Sequence, residues 1–376
     1  MMKGDDRLNL QGELSMRSGG YYSERTVGAR IVIDNAFPMV RAALGEVPNT
    51  GARLRFADFG CADGGTSKGL WSRLIDELRA GGDSRDIEII YTDLPSNDFS
   101  TLFKQMQGII GDAERAYQTR HRGVFVHGCG TGFHQQLMAS GTLDLGFSAT
   151  AMHYVSEKPT EIAGHVHMVG ANPDERAAFE GQAAKDWEAI LLARAAELVP
   201  GGRFICLNFG IDEEGRYLGG TGGIDMFGRF AAHWRTLQER GVITEEEFRR
   251  ATFVQHYRTV EEFTAPFRDP ESAVSRAGLT LRSAHTMLTR CPFEKAFAES
   301  GGGMSAREFA VSYIPTLRSW SETVFKSALA DRSEAEAQSI VDRFYQAYED
   351  EVAADPAGHA MDYVHIVLDI EKSAGG

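Results

Sequence analysis

"FADFGCADGGTSKGL", Phe56 to Leu70, closes the apolar run "LRFADF" on bare backbone. Asp58 ends the run, Gly60 follows, and Gly64 and Gly65 come next. Helical spacing then begins, through Leu70, Leu74 and Leu78, with Thr66 or Ser67 as cap and "AGGD" as stop. The reading is strand, glycine turn, helix. In open α/β sheets, ligands bind beyond the carboxyl ends of the strands. Asp58, Gly60 and Gly64 are expected at such an end, where missing Cβ atoms let a ligand approach. The plain alternative is a glycine-rich turn with a helix cap.

The spacing favours one class of ligand. The pattern is DxGxxxG, and the GxGxxG dinucleotide fingerprint is absent. A second apolar run, "IEIIYTDLP", ends in Asp93, 35 residues after Asp58. An acid there is placed to accept both ribose hydroxyls of an adenosine. NAD sites favour GxGxxG with the acid about 20 residues on. The combination is typical of S-adenosylmethionine (SAM), which has no pyrophosphate to cradle.

Further out, strands alternate with helices. "FSTLFKQMQGII" reads as a helix, "VFVHGCGTGFHQQL" as a third strand with a glycine-rich exit, and "TLDLGFSATAMHYV" as a fourth strand. "DWEAILLARAAELVPGGRFICLNFG" reads as a long helix, a "PGG" turn and a strand. Such alternation implies a parallel sheet covered on both faces. Upstream, "ARIVIDNAFPMVRAAL" reads as a helix up to Pro38 or past it. The fold class expected is α/β, a Rossmann-like sheet with a mostly helical cap. Residues 1–30 form an arm closing over the site, 31–220 the ligand-binding core, 221–335 the cap with a returning strand, and 336–376 a helix and strand completing the core. "AGLTLRSAHTML" and "YVHIVLDI" carry the returning strand signals, and "ESGGGMS" reads as a mobile loop.

Composition narrows the partners. The 376 residues are 43% hydrophobic, enough to bury a large core. The net charge of −14 argues against a nucleic-acid backbone or an anionic membrane. No run approaches the ~18 apolar residues of a membrane span. The start "MMKGDDRLNLQGELSM" has no apolar core of a signal peptide. Cys61, Cys129, Cys206 and Cys291 form no CxxC pair, so a reducing cytoplasm is the expected compartment.

Several segments taken together resemble the SABATH family of SAM-dependent carboxyl methyltransferases. "MRSGGYYSERT" is similar to its N-terminal Met-x-Gly-Gly…Ser-Tyr segment, and "ADFGCADGG" to its Ala-Asp-Leu-Gly-Cys-x-x-Gly strand end. "TDLPSNDFSTLF" resembles Asn-Asp-Leu-Pro-x-Asn-Asp-Phe-Asn-x-Leu-Phe and is the most specific match. "GTGFHQQL", "AMHYVS", "ELVPGGRF" and "YRTVEEF" also have counterparts. The resemblance covers about residues 16–265, and the rest more loosely. It implies SAM as methyl donor, S-adenosylhomocysteine (SAH) as product, a small carboxylic acid as substrate and a homodimer. It also implies roles: Asp58 and Gly60 lining the SAM site, Asp93 on the ribose, Leu94 on the adenine, Gly132 and Phe133 along its far side. Tyr22 would lie over the methionine part. His153 and Tyr154 would occupy the substrate-facing, catalytic His-Trp positions.

Three departures point to a divergent, microbial branch. The Trp after the His is Tyr154. The Gln that often grips the carboxylate falls near Ala29 or Arg30. The Asp-x-Phe-Asn segment tied to magnesium in some members reads "ATFV", so no metal is expected.

The remaining residues admit two readings each. His165 and His167 are two apart, but a metal needs further ligands with matching spacing, so loop or helix-surface histidines are expected. His127 and His134 could approach the cofactor. Cys61 reads as a small hydrophobe. Asn97 and Asp98 read as caps for the helix at Phe99. Met226, Phe227, Phe230 and Trp234 recur at near-helical spacing as helix core, while Met226 and Phe227 could wall the acceptor site. Tyr313 and Trp320 carry the same ambiguity.

A carboxylate is already ionised at neutral pH, so its methylation needs no base. Alignment and exclusion of water suffice. His153 and Tyr154 are expected to hydrogen-bond it. Methylation of a ring nitrogen or phenolic oxygen is the alternative chemistry. A non-catalytic SAM binder or a dinucleotide binder is the alternative class.

Overall fold

A computed structural model describes residues 26–48 and 51–374. The amino-terminal half holds α1 (Val27–Glu46), β1 (Arg53–Phe59), α2 (Lys68–Ala80), β2 (Asp86–Asp93), α3 (Phe99–Met106), the one-turn α4 (Tyr117–Arg120), β3 (Val124–Gly130) and β4 (Leu143–Ala149). It continues with α5 (Pro173–Glu197), β5 (Leu198–Ile211), α6 (Met226–Glu239), α7 (Glu245–Arg250), the two-residue β6 (Arg258–Thr259), α8 (Val260–Arg268) and α9 (Ala273–Arg276). It ends with β7 (Leu279–Thr289), α10 (Pro292–Glu299), α11 (Ala306–Ser327), α12 (Glu334–Ala354) and β8 (Tyr363–Lys372).

The main sheet has the order β3-β2-β1-β4-β5-β8-β7, and β6 pairs with β5 off this path. The first five strands run parallel. β8 is antiparallel and lies between β5 and β7. This is the α/β sheet expected, with the order turning back at β1. The two returning strand signals are β7 and β8.

Continuous apolar runs follow from cover on both faces. Within β5, Gly201–Gly210 is buried without a break. Val32, Phe37 and Val40 of α1 pack on one face with Trp71 and Leu74 of α2. Trp187, Ile190 and Leu191 of α5 pack on the other with Phe263 of α8 and Val274 of α9. α1 runs through Pro38 and extends to Glu46. The expected "PGG" turn lies inside the span of β5, where Gly201 takes φ 79°.

The cap is an aromatic cluster. Phe230 and Trp234 of α6 meet Phe325 of α11 and Phe344 of α12 with centroids 4.3–5.9 Å apart. Local signals start these helices. Ser305 and Glu308 form a reciprocal cap on α11, and Asn172 and Glu175 do so on α5, with Pro173 in its first turn. Asp98 caps α3, as read, by accepting from Thr101 N. "ESGGGMS" joins α10 to α11 through Gly301 and Gly302, both at positive φ. No described helix is long and apolar enough to cross a membrane.

Candidate active site

The turn after β1 is braced from β2. Gly60 N and Cys61 N both donate to Thr92 O, at 2.8 and 3.1 Å. Ala62, at φ 48°, donates its N–H to Asp93 Oδ2 at 2.7 Å. Leu94 N donates to Asp93 Oδ1 at 2.7 Å, and Asn97 Nδ2 to Ala62 O at 2.7 Å. A carboxylate offers about four acceptor directions, so Asp93 keeps two for a ligand. Burial holds its carboxyl above the usual range, and the two backbone bonds oppose that. Gly60 sits at φ 74°, and a Cβ there would lie 2.3 Å from Ala151 Cβ.

These groups open onto a cavity of about 760 Å³. Gly60, Asp93, Leu94, Gly132 and Phe133 line one end. His153, Tyr154, Gln255, Tyr257, Trp320 and Met361 line the other. The segment at Phe133 is held from behind. The buried Arg194 donates to Phe133 O and Gln135 O at 3.1 and 3.0 Å while paired with Glu197. Arg194 and Glu197 were not singled out in the sequence, although a charged pair three apart in the otherwise apolar stretch "LLARAAE" is a visible irregularity.

β4 ends at Ala149, and Thr150 turns the chain at φ 62°. His153 and Tyr154 therefore leave the sheet and face the cavity. Their rings lie 4.5 Å apart, centroid to centroid. His153 Nδ1 stands 3.3 Å from Asn208 Oδ1. That oxygen can only accept, so Nδ1 carries the proton and Nε2 keeps its lone pair. Burial pushes the His153 pKa down to about 3. The ring is neutral at physiological pH, and its remaining nitrogen is an acceptor where a donor was expected. Asn208 was missed too; its signal is a lone amide in the buried run "FICLNFG".

Three expected residues stand off the cavity wall. Asp58 is 3% exposed and accepts from Trp71 Nε1 at 2.9 Å, so it anchors α2 behind the turn. Met226 and Phe227 are fully buried and stand off the cavity, which Trp320 and Met361 line instead. Tyr22 lies outside the described residues. His134 lines the cavity, while His127 is exposed on β3. His167 is a core residue, contrary to the surface position expected: it is wholly buried, 3.9 Å from the Phe227 ring. Among the described residues, no group of three His, Cys, Asp or Glu could hold a metal.

Asp58 gives a pH prediction. Burial pushes its carboxyl up to about 6, bonds from Ser67 and Trp71 oppose this, and Asp93 adds to it. An unfolded Asp titrates near ~3.9. The folded state therefore holds this proton more tightly. Its contribution to stability is present below about pH 4 and is lost as pH rises through about 6. Asp58→Asn cannot ionise and keeps an oxygen for Trp71. The Tm of Asp58→Asn minus that of the parent is expected to grow between about pH 4 and 7, then level. A difference flat across that range contradicts the assignment.

A family model described as SAM dependent carboxyl methyltransferase matches residues 19–373. Gibberellic acid methyltransferase 2 of Arabidopsis thaliana is 27% identical over 56% of this chain and 58% of its own length. Salicylate carboxymethyltransferase of Clarkia breweri is 28% identical over 56% of this chain and 60% of its own length. The chain thus spans less than two thirds of the length of these relatives. A solved structure described as loganic acid methyltransferase with SAH superposes with a TM-score of 0.68 at 18% identity. It covers 95% of this chain and 98% of the other, and it shows that the fold is shared.

Proposed function

The chain belongs to the SAM-dependent carboxyl methyltransferase family, and from that premise we propose that it methylates the carboxylate of a small acid. The products are the methyl ester and SAH. The observation that carries this reading is the single cavity joining the Asp93 end to an aromatic end whose His153 is a poor base.

The cofactor end fits SAM. Asp93 retains acceptor capacity for ribose hydroxyls, Leu94 and Phe133 offer apolar surface to an adenine, and the Gly60 backbone stands where any Cβ would collide. When bound, SAM supplies an electrophilic methyl group on a sulfonium. The protein's part is to hold, align and dry. An acceptor carboxylate with a pKa of ~4 is already the nucleophile at neutral pH. Aromatic walls at Tyr154, Tyr257 and Trp320 exclude the water that would solvate it. A phenolic acceptor would need a proton removed, and a ring with a pKa near 3 is a poor base for that.

The test is labelled-methyl transfer from SAM onto a panel: salicylate, indole-3-acetate, gibberellic acid, and aliphatic and terpenoid acids. The product is expected to be labile to mild alkali and to form equally in EDTA. An alkali-stable product moves the reaction to nitrogen or phenolic oxygen. Loss in EDTA that magnesium restores overturns the metal-free reading. A cytoplasmic location is supported by the four cysteines, all free and three of them buried. A homodimer rests on the resemblance alone, and its mass in solution tests it.

A further inference from the structure

We infer that the side-chain amide of Gln255 holds the carboxylate of the acceptor. The inference rests on the carboxyl-methylation reading and assigns the grip that the sequence left open. Where the family's gripping Gln is expected, the chain has Ala29 or Arg30. Ala29 does line the cavity, but with a methyl group.

Gln255 is 1% exposed and lines the cavity. Main-chain pairing locks it beside His153 and Tyr154: Tyr154 and Gln255 form an antiparallel bridge, and His256 N donates to His153 O at 2.9 Å. The Tyr257 hydroxyl donates to Gln255 Oε1 at 3.2 Å. That bond fixes which end of the amide is oxygen and leaves the two N–H groups for a ligand. The His167 ring, the other group bonded to this amide, acts as a donor and so also meets the oxygen. The N–H groups belong to a residue on the cavity lining, where a ligand or water can complete them.

The neighbouring groups point the same way. The His153 ring presents a lone pair, which repels an anion, so the carboxylate must find its donors elsewhere. Gln255 is neutral and offers two N–H groups on one nitrogen, so one or both can meet the anion without competing for the methyl group. The oxygen to be methylated then keeps a free lone pair toward the cofactor end.

The experiment uses the full chain and the best acid of the panel, with that acid's primary carboxamide as a second probe. Gln255→Leu is expected to raise KM for the acid at least tenfold, with SAM affinity within about twofold of the parent. Gln255→Glu, close in shape, replaces the donor by an anion. In the parent, with SAH bound, calorimetry is expected to show tighter binding of the acid than of the carboxamide. In Gln255→Glu the order is expected to reverse, because the carboxamide brings its own N–H groups. A purely structural role weakens both probes alike and reverses nothing. Unchanged acid KM in both variants, or an unreversed order in Gln255→Glu, overturns the inference. If the parent methylates no acid at all, the carboxyl reading itself falls, and this inference with it.

Discussion

Gly60→Val is expected to bind SAM at least 100-fold more weakly than the parent, to the point of no detectable heat on titration. Two independent effects add. The backbone at Gly60 has φ 74°, a region that a β-branched residue enters only under strain. The new Cβ would also stand 2.3 Å from Ala151 Cβ. That neighbour is the first atom of its side chain and cannot rotate away, so main chain must move. The chain that moves is the exit of β4, which carries Thr150 and His153 two or fewer residues away. Both ends of the cavity are therefore disturbed. Gly60→Ala meets the same collision with less bulk and is expected to fall between the two. Tight SAM binding by Gly60→Val, within threefold of the parent, removes the turn from the cofactor site.

Asp93→Ala is expected to weaken SAM roughly 10- to 150-fold. Hydrogen bonds to a charged group contribute about 1.5–3 kcal/mol, and each 1.4 kcal/mol is tenfold in affinity. Asp93 also braces the turn through Ala62 N and Leu94 N. Asp93→Asn separates these roles. It keeps one acceptor for the brace and loses the charge and the second oxygen. If the ribose is the partner, Asp93→Asn is expected to lie nearer to Asp93→Ala in SAM affinity, yet nearer to the parent in Tm. Parental SAM affinity in Asp93→Ala refutes the cofactor geometry.

The Asp93 end of the cavity was legible because its signals are local. An apolar run, an acid and a glycine within a few residues report a strand end, and the chain repeats the message at Asp93. Gly132 and Phe133 were implied by the family resemblance, and they line the same cavity. The other end is built differently. Gln255, Tyr257 and Trp320 reach the cavity from segments more than 100 residues beyond Tyr154, and no local period records that meeting. Met226 and Phe227 show the limit of periodicity: it told that a helix face is buried, and the packing of Phe227 on His167 decided against what. The tautomer of His153 depends on Asn208, which sits one strand away in β5. Asp58 reads as a site residue because it ends the strand, yet Trp71 claims it from α2. Positive φ at Thr150 leaves no trace in composition, since β-branched residues rarely go there.

The place of β8 bears on how the chain is made. β5 emerges from the ribosome with Arg203 to Phe209, but its antiparallel partner comes more than 150 residues later, from His365 to Glu371. At about 5–20 residues per second, that edge waits roughly 8–30 s during synthesis. It is a poor edge to leave open, because Gly202 to Phe209 is apolar apart from Arg203 and Asn208 and is buried on both faces in the finished sheet. Nascent chains stalled before residue 355 should accordingly need a chaperone on β5. The same chains released at that length are expected in the insoluble fraction, while those carrying β8 remain dissolved.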